Sequence, residues 1–282
     1  MGRTTLILIL RKGRLLFLLG LIFLFLVLLT FSIVELVPVS QVNPLQGRII
    51  AVDAGHGGID GGSSYGSLLE KDLTLALAKI LAKKLEEQGA VVILTRTTDT
   101  DLSDQISPQQ EIALSKRDLE SDRRLNRPTP ARDRNVALGT RYPPRYRLGL
   151  RARILMATEN EAEVLISLHT NKFRSAGVQG AANLYQKHSP DSKRLAECLQ
   201  RYLGPLLPGR SKSPIVPDDF FILRRSPIPT VITEVGYISN TRDRKFIASA
   251  EGQEAIANAI LKGLSDYFRT GLKELIVGLF GF

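Results

Sequence analysis

The chain contains no tryptophan, a single cysteine and only three histidines in 282 residues. The lone Cys198 rules out an intrachain disulfide framework and a cysteine-rich zinc site. With aromatics at 6 %, a surface built on stacked aromatic platforms is disfavoured. No Ser-His-Asp pattern and no exposed-looking cysteine motif marks a nucleophilic enzyme. What remains is ordinary for a globular protein. The 44 % hydrophobic content allows a sizeable core, and the length suits one large domain or two small ones.

The formal net charge of +10 is unevenly spread. Between Lys116 and Arg153 lie twelve basic residues and four acids, an excess of eight. The rest of the domain is close to neutral, so the high isoelectric point does not describe a basic surface for nucleic acid. No nucleic-acid partner is expected.

Leu15 to Val34 is apolar apart from Thr30 and Ser32, and uncharged. Roughly twenty residues at about 1.5 Å each span about 30 Å, the thickness of a bilayer core. Arg3, Arg11, Lys12 and Arg14 precede this run and Glu35 follows it, which places the N-terminus in the cytoplasm and the remainder outside. A cleaved signal peptide is the competing reading, but Glu35 to Ser40 offers no good small-x-small site. The expected organisation is a basic stub with a transmembrane or signal-anchor segment (1–40) and a linker (41–47). A catalytic domain (48–270) and an apolar tail (271–282), too short to span, follow.

Within the domain, strand patterns alternate with helical ones. Strands are expected at Arg48 to Asp53, Val91 to Thr95, Val164 to Leu168, Val178 to Tyr185 and Thr230 to Thr233. Leu73, Leu77, Ile80, Leu81 and Leu85 follow helical spacing, with Asp72 as N-cap and Gly89 as the stop. Further helices are expected at Asp191 to Leu203 and Glu251 to Phe268. The fold class is therefore α/β, a single domain with a mostly parallel central sheet flanked by helices. Residues 103–147 interrupt this pattern. They are rich in Arg, Asp, Pro, Gln and Ser, and too poor in apolar residues to offset their ordering entropy. They read as a basic insertion, flexible or partly helical.

Two of the three histidines, His56 and His169, each follow an expected strand. In an open α/β sheet, sites form just beyond the carboxyl ends of the strands, so both imidazoles should reach one edge. Glu70 stands at the start of the first long helix, after the glycine-rich turn Gly57 to Gly66. Two histidines, a glutamate and a water make a common catalytic zinc set. Glu234 ends a buried strand, where a carboxylate needs either a partner or a task, and beside such a metal it would serve as proton carrier. Each residue alone has a plainer reading: a structural histidine, a helix-start acid favourable to the dipole, an ion-paired edge carboxylate. Their convergence is what singles them out. His188 precedes Ser189-Pro190 in a turn and reads as a surface residue.

The runs Val52-Asp53-Ala54-Gly55-His56-Gly57-Gly58, Glu70-Lys71-Asp72, Ser167-Leu168-His169-Thr170-Asn171 and Glu234-Val235-Gly236-Tyr237-Ile238-Ser239-Asn240 resemble the zinc-dependent N-acetylmuramoyl-L-alanine amidases of type 3. The resemblance covers roughly Gly47 to Phe268. It implies zinc ligands at His56, Glu70 and His169, a catalytic Glu234, and a substrate-side polar group at Asn171. Leu68 to Leu75, Glu87 to Ala90, Thr95-Arg96 and Asp99 to Leu102 are similar to the CwlD-type branch of spore-forming bacteria. That branch implies removal of stem peptides from muramic acid in spore-cortex peptidoglycan, allowing muramic-δ-lactam to form. A vegetative cell-separation amidase and a non-catalytic peptidoglycan-binding protein are the alternatives. Some relatives work with a lipoprotein partner, but no segment here identifies one. Two departures stand out: Ala54 replaces the family's usual proline, and the insertion is long.

Overall fold

The computed structural model describes residues 17–26, 43–209 and 215–280. The chain divides into two units, residues 1–43 and Pro44–Phe282. In the first unit residues 17–26 are helical, with exposed side chains. The rest of the expected span at Leu15 to Val34, and its basic flank, lies outside the described residues. Among those described, no helix is long and apolar enough to cross a membrane.

The second unit is built on a six-stranded sheet in the order β4-β1-β5-β8-β6-β7. Its strands are β1 (Ile49–Ala54), β4 (Val91–Leu94), β5 (Val164–Asn171), β6 (Ala182–Gln186), β7 (Ile215–Asp218) and β8 (Thr230–Tyr237). β4, β1, β5 and β8 run parallel, β6 is antiparallel to β8, and β7 is parallel to β6. The central strands are continuous apolar runs because both faces are covered. Successive side chains alternate between those faces. Ile50, Val52, Ile166, Leu168 and Val231 enter one core with α1 (Glu70–Glu87), α5 (Pro190–Leu206) and α8 (Ala250–Phe280). Ala51, Leu165 and Ile232 enter a smaller core with α4 (Arg145–Glu159) and α6 (Phe221–Arg225). The expected α/β class and mostly parallel sheet are present.

Local boundaries differ in instructive ways. A two-residue ribbon, β2 (Ser64–Tyr65) with β3 (Leu68–Leu69), delivers the chain directly into α1. Leu69, in extended conformation, is the N-cap, so the expected cap Asp72 instead lies in the first turn, where its charge still favours the dipole. Gly89, at φ 76°, ends the helix as expected. The strand expected over Val178 to Tyr185 begins only at Ala182, because Gly180 takes φ 103° and donates its N–H to Asp243. α8 runs on to Phe280, through most of the expected apolar tail.

Residues 103–147, expected to be flexible or partly helical, are partly helical; what is corrected is the expectation that they cannot offset their ordering entropy. This segment forms a short 3₁₀ turn (Leu102–Gln105), α2 (Pro108–Arg124) and α3 (Ala131–Ala137), and leads into α4. Ser107 and Gln110 make a reciprocal capping box at the start of α2. What orders the segment is a buried ionic seam. Arg147 of α4 donates to Glu111 at 2.7 Å and to Asp133 at 2.6 Å, and Arg151 donates to the other Glu111 oxygen at 2.8 Å. From α6, Arg224 reaches Asp133 at 2.8 Å, and Arg225 reaches Asp122 and Asp133, each at 3.0 Å. Phe221 fills the middle, with Arg147 and Arg151 guanidinium carbons 4.4 and 5.0 Å from its ring centre. Judging the segment by apolar content alone overlooked these acids and their four arginines. α7 (Thr241–Ile247) completes the element list.

Candidate active site

The parallel register places the chemistry at one edge. Asp53 lies opposite Ser167, and His169 opposite Glu234, all on the face that holds Ala51 and Leu165 lower down. His56 follows β1 in the left-handed region at φ 64°, a conformation that costs energy for a residue with a side chain. Glu70, at the first position of α1, is almost wholly buried. These three residues present ligand atoms lying within 4.8 Å of one another. Glu70 Oε1 stands 3.2 Å from His56 Nε2 and 3.1 Å from His169 Nδ1.

The surroundings hold each of them in place. Glu70 accepts the backbone N–H of Ser63 on Oε2 at 2.6 Å and that of Thr170 on Oε1 at 2.9 Å. Asp60 meets His56 Nδ1 at 2.8 Å, which leaves Nε2 facing Glu70. Two glycines permit the close approach. A Cβ on Gly55 would lie 2.5 Å from the His169 ring, and one on Gly62 would lie 2.6 Å from the His56 ring and 2.7 Å from Glu70 Oε2. Behind the site, Arg153 of α4 donates to Asp53 at 2.8 Å and to the His56 carbonyl at 2.6 Å. Asp53 also accepts Thr95 and Ser167 hydroxyls at 2.6 and 2.5 Å. Arg153 thus pins the strained backbone that carries His56.

The electrostatics follow from this packing. Burial opposes ionisation of Glu70, but the hydrogen bonds and charges of His169 and His56 hold its carboxyl far below the usual range. Burial likewise opposes charge on His56, and is outweighed by Glu70 and Asp60, which push it up to about 9. Burial raises Glu234 to about 7; the adjacent Glu70 charge adds to this, while His169 and His56 oppose it. Glu234 Oε2 is shut off from solvent and, among the described residues, has no hydrogen-bond partner. Such an atom is costly unless it faces a ligand or a reacting group.

The donor set therefore fits a metal ion. Two imidazoles and a carboxylate converge, the carboxylate is anionic, and an unpartnered glutamate oxygen stands alongside. A cavity of about 430 Å³ opens beside the cluster, walled by Leu102, Tyr146, Leu150, Phe220, Phe221 and Ile222, with Glu234 and both histidines at its base.

All the residues singled out in the sequence lie at this edge. Asn171 ends β5, two residues beyond His169, on the rim of a second, open depression shared with His56, Glu70 and Glu234. Its Oδ1 accepts the Lys172 N–H. His188 is exposed in the turn before α5, as expected. Sequence reasoning missed Asp60, Gly62, Asp53 and Arg153. Asp60, four residues after His56 in a glycine-rich turn, carried a usable signal. Arg153 carried one only through its position among Arg147 and Arg151 on one helix.

Comparison with known proteins agrees with this geometry. Residues 50–266 match the family described as N-acetylmuramoyl-L-alanine amidase. The germination-specific N-acetylmuramoyl-L-alanine amidase of Bacillus subtilis is 32 % identical over 225 residues, covering 80 % of this chain and 81 % of that one. The probable cell wall amidase LytH of Staphylococcus aureus is 30 % identical over 234 residues, 81 % of this chain but only 61 % of LytH. Among solved structures, the CwlD amidase of Clostridioides difficile in complex with the GerS lipoprotein superposes with a TM-score of 0.62 at 29 % identity, covering 79 % of this chain and all of that one.

Proposed function

Because the chain belongs to the N-acetylmuramoyl-L-alanine amidase family, we propose that it hydrolyses the amide between the lactyl group of muramic acid and the L-alanine of the stem peptide, in spore-cortex peptidoglycan. The observation that carries this reading is the meeting of His56, Glu70 and His169 beside the unpartnered Glu234 Oε2. In this reading His56, Glu70 and His169 hold a zinc ion. When bound, zinc supplies Lewis-acid activation of water and of the amide carbonyl.

The chain's own residues do the rest. Glu234 takes a proton from the attacking water as its oxygen adds to the lactyl carbonyl carbon. The carbon–nitrogen bond then breaks, and Glu234 returns the proton to the alanine amine. The products are a lactyl carboxylate and a free stem peptide. In this reading the apolar wall of the cleft excludes water from one side of the amide, and Asn171, which lines the neighbouring depression with His56, Glu70 and Glu234, holds a polar group of the substrate.

The uncharged run Leu15 to Val34 anchors the catalytic domain at the outer membrane surface in this reading; its length, flanking charges and helical residues 17–26 support it. A lipoprotein partner belongs to the same reading, since the Clostridioides difficile relative was solved in complex with one. Likeness to LytH, a probable cell wall amidase, leaves a second reading, a vegetative cell-separation amidase with the same chemistry. Production confined to sporulation supports the cortex role; production during growth supports the other. The direct test is mass spectrometry of cortex fragments incubated with zinc-loaded protein. Free stem peptides and peptide-free muramic acid are expected. Fragments of unchanged mass, even with a partner lipoprotein added, would sink the proposal.

A further inference from the structure

The ionic seam that orders residues 103–147 also sorts their charges. The acids turn inward: Glu111, Asp122 and Asp133 are buried and Asp118 is half-buried against Arg151. The buried cations facing them come from α4 and α6, not from α2 or α3. The basic residues of the hairpin itself are thereby left on the outside. Lys116, Arg117, Arg123 and Arg124 lie along the exposed face of α2. Arg127, Arg132, Arg134 and Arg141 follow through α3 and its flanking turns, all exposed. Among the described residues none of these eight forms an ion pair, and Glu120 is the only exposed acid between Pro108 and Pro144. Eight exposed cations against one exposed acid give this face a positive potential that attracts an external polyanion.

We propose that this outward face of α2 and α3 is a docking surface for the carboxylate-rich stem peptides of polymeric peptidoglycan, holding the strand while the cleft acts on it. The inference rests on the peptidoglycan reading above. Charge complementarity points to a polyanion, and repeated free carboxylates are a property of the polymer that carries the scissile amide. Position supports it as well. The hairpin packs through its seam onto α4 and α6, whose Tyr146, Leu150 and Phe221 wall the cavity beside Glu234. A strand bound there is kept at high local concentration next to the site. An anionic lipid surface fits less well. A helix that lies on a membrane shows large apolar side chains on its lipid face. On α2 every exposed position except Ala113 is polar or charged, while Leu119 is buried and Ile112 and Leu114 are half-buried; the exposed Leu125, Leu138 and Tyr142 lie in the turns after α2 and α3, not on a helix face.

The test is co-sedimentation of the full-length chain with purified sacculi, in a Glu234→Gln background that leaves the polymer intact. The quadruple variant Lys116→Glu, Arg117→Glu, Arg123→Glu, Arg124→Glu is expected to bind about tenfold less at low salt, with the difference narrowing as salt rises. With Glu234 restored, it should lose turnover of sacculi while keeping turnover of a small soluble muropeptide and an unchanged melting temperature. Equal sedimentation of variant and parent would overturn the docking surface. So would charge-dependent binding to vesicles of phosphatidylglycerol with none to sacculi. Absence of muropeptide turnover in the parent would count against the amidase reading instead, leaving sedimentation to decide the docking surface.

Discussion

The sheet and the α2–α3 hairpin reach order by opposite means. The sheet buries Ile50, Val52, Leu165, Ile166 and Leu168 on two apolar faces, and its buried acid Asp53 sits at the carboxyl edge that Glu70 of α1 also reaches. The hairpin has little apolar surface to bury and is joined to the domain by Glu111, Asp122 and Asp133 with Arg147, Arg151, Arg224 and Arg225. Apolar packing is non-directional and tolerant, whereas a buried ion pair depends on every partner being present. The cleft lies where these two kinds of structure meet, and it inherits a base from one and a wall from the other.

The largest expected effect lies on the sheet side. Glu234→Gln should retain zinc, measured by elemental analysis, while turnover drops about 10²- to 10⁴-fold, the range of a lost general acid–base. Loss of metal in that variant would give Glu234 a ligand's role and remove the division between holder and proton carrier.

Next comes the seam. Glu111→Ala removes the acid that satisfies both Arg147 and Arg151, and should cost about 3–5 kcal/mol in denaturant melts. Leu165→Ala in the smaller core should cost about 2–5 kcal/mol through cavity formation. The sharper distinction is in hydrogen exchange. The seam variant should lose protection first in α2 and α3, the core variant in the central strands. Identical exchange patterns would erase the contrast between the regions.

Arg153 lies between the two, since it runs from α4, on which the hairpin packs, to Asp53 and the His56 carbonyl. Arg153→Lys keeps the charge but cannot bridge both acceptors. Turnover should fall by about tenfold, the equivalent of about 1.4 kcal/mol, with a smaller change in KM. An unchanged kcat would show that the left-handed His56 backbone stands without this clamp.

The smallest effect is a pH dependence. Burial opposes charge on Asp133, yet Arg224 and Arg147 hold its carboxyl below the usual range. A depressed folded-state pKa means that this stabilisation is complete above the unfolded value of about 3.9 and is lost as pH falls through the lower folded one. Helical signal from the hairpin, followed by site-specific exchange, should therefore weaken below about pH 4. Retention of the hairpin well below that pH would argue that its packing does not depend on this acid.

The parts that were legible in sequence share a physical cause. Strands buried on both faces read as unbroken apolar runs, and His56, His169 and Glu234 could be placed because each follows such a run. Glu70 was legible from the glycine-rich turn before an apolar-periodic helix. α4 escaped because its buried face carries Arg147, Arg151 and Arg153, which read as solvent-facing. α6 and β7 are too short to show a period.

By itself, then, the sequence determined five of the six strands, the carboxyl edge of the sheet and the identity of the residues brought there, because hydrophobic periodicity and residue chemistry are local properties. Only the tertiary structure decided how residues 103–147 fold, that Glu111, Asp122 and Asp133 turn inward while the basic residues of α2 and α3 turn outward, and that Arg153 and Asp60 steady His56. Ion pairing between residues as much as a hundred positions apart leaves no period in the chain, and a charge reads the same in sequence whether solvent or a buried partner faces it.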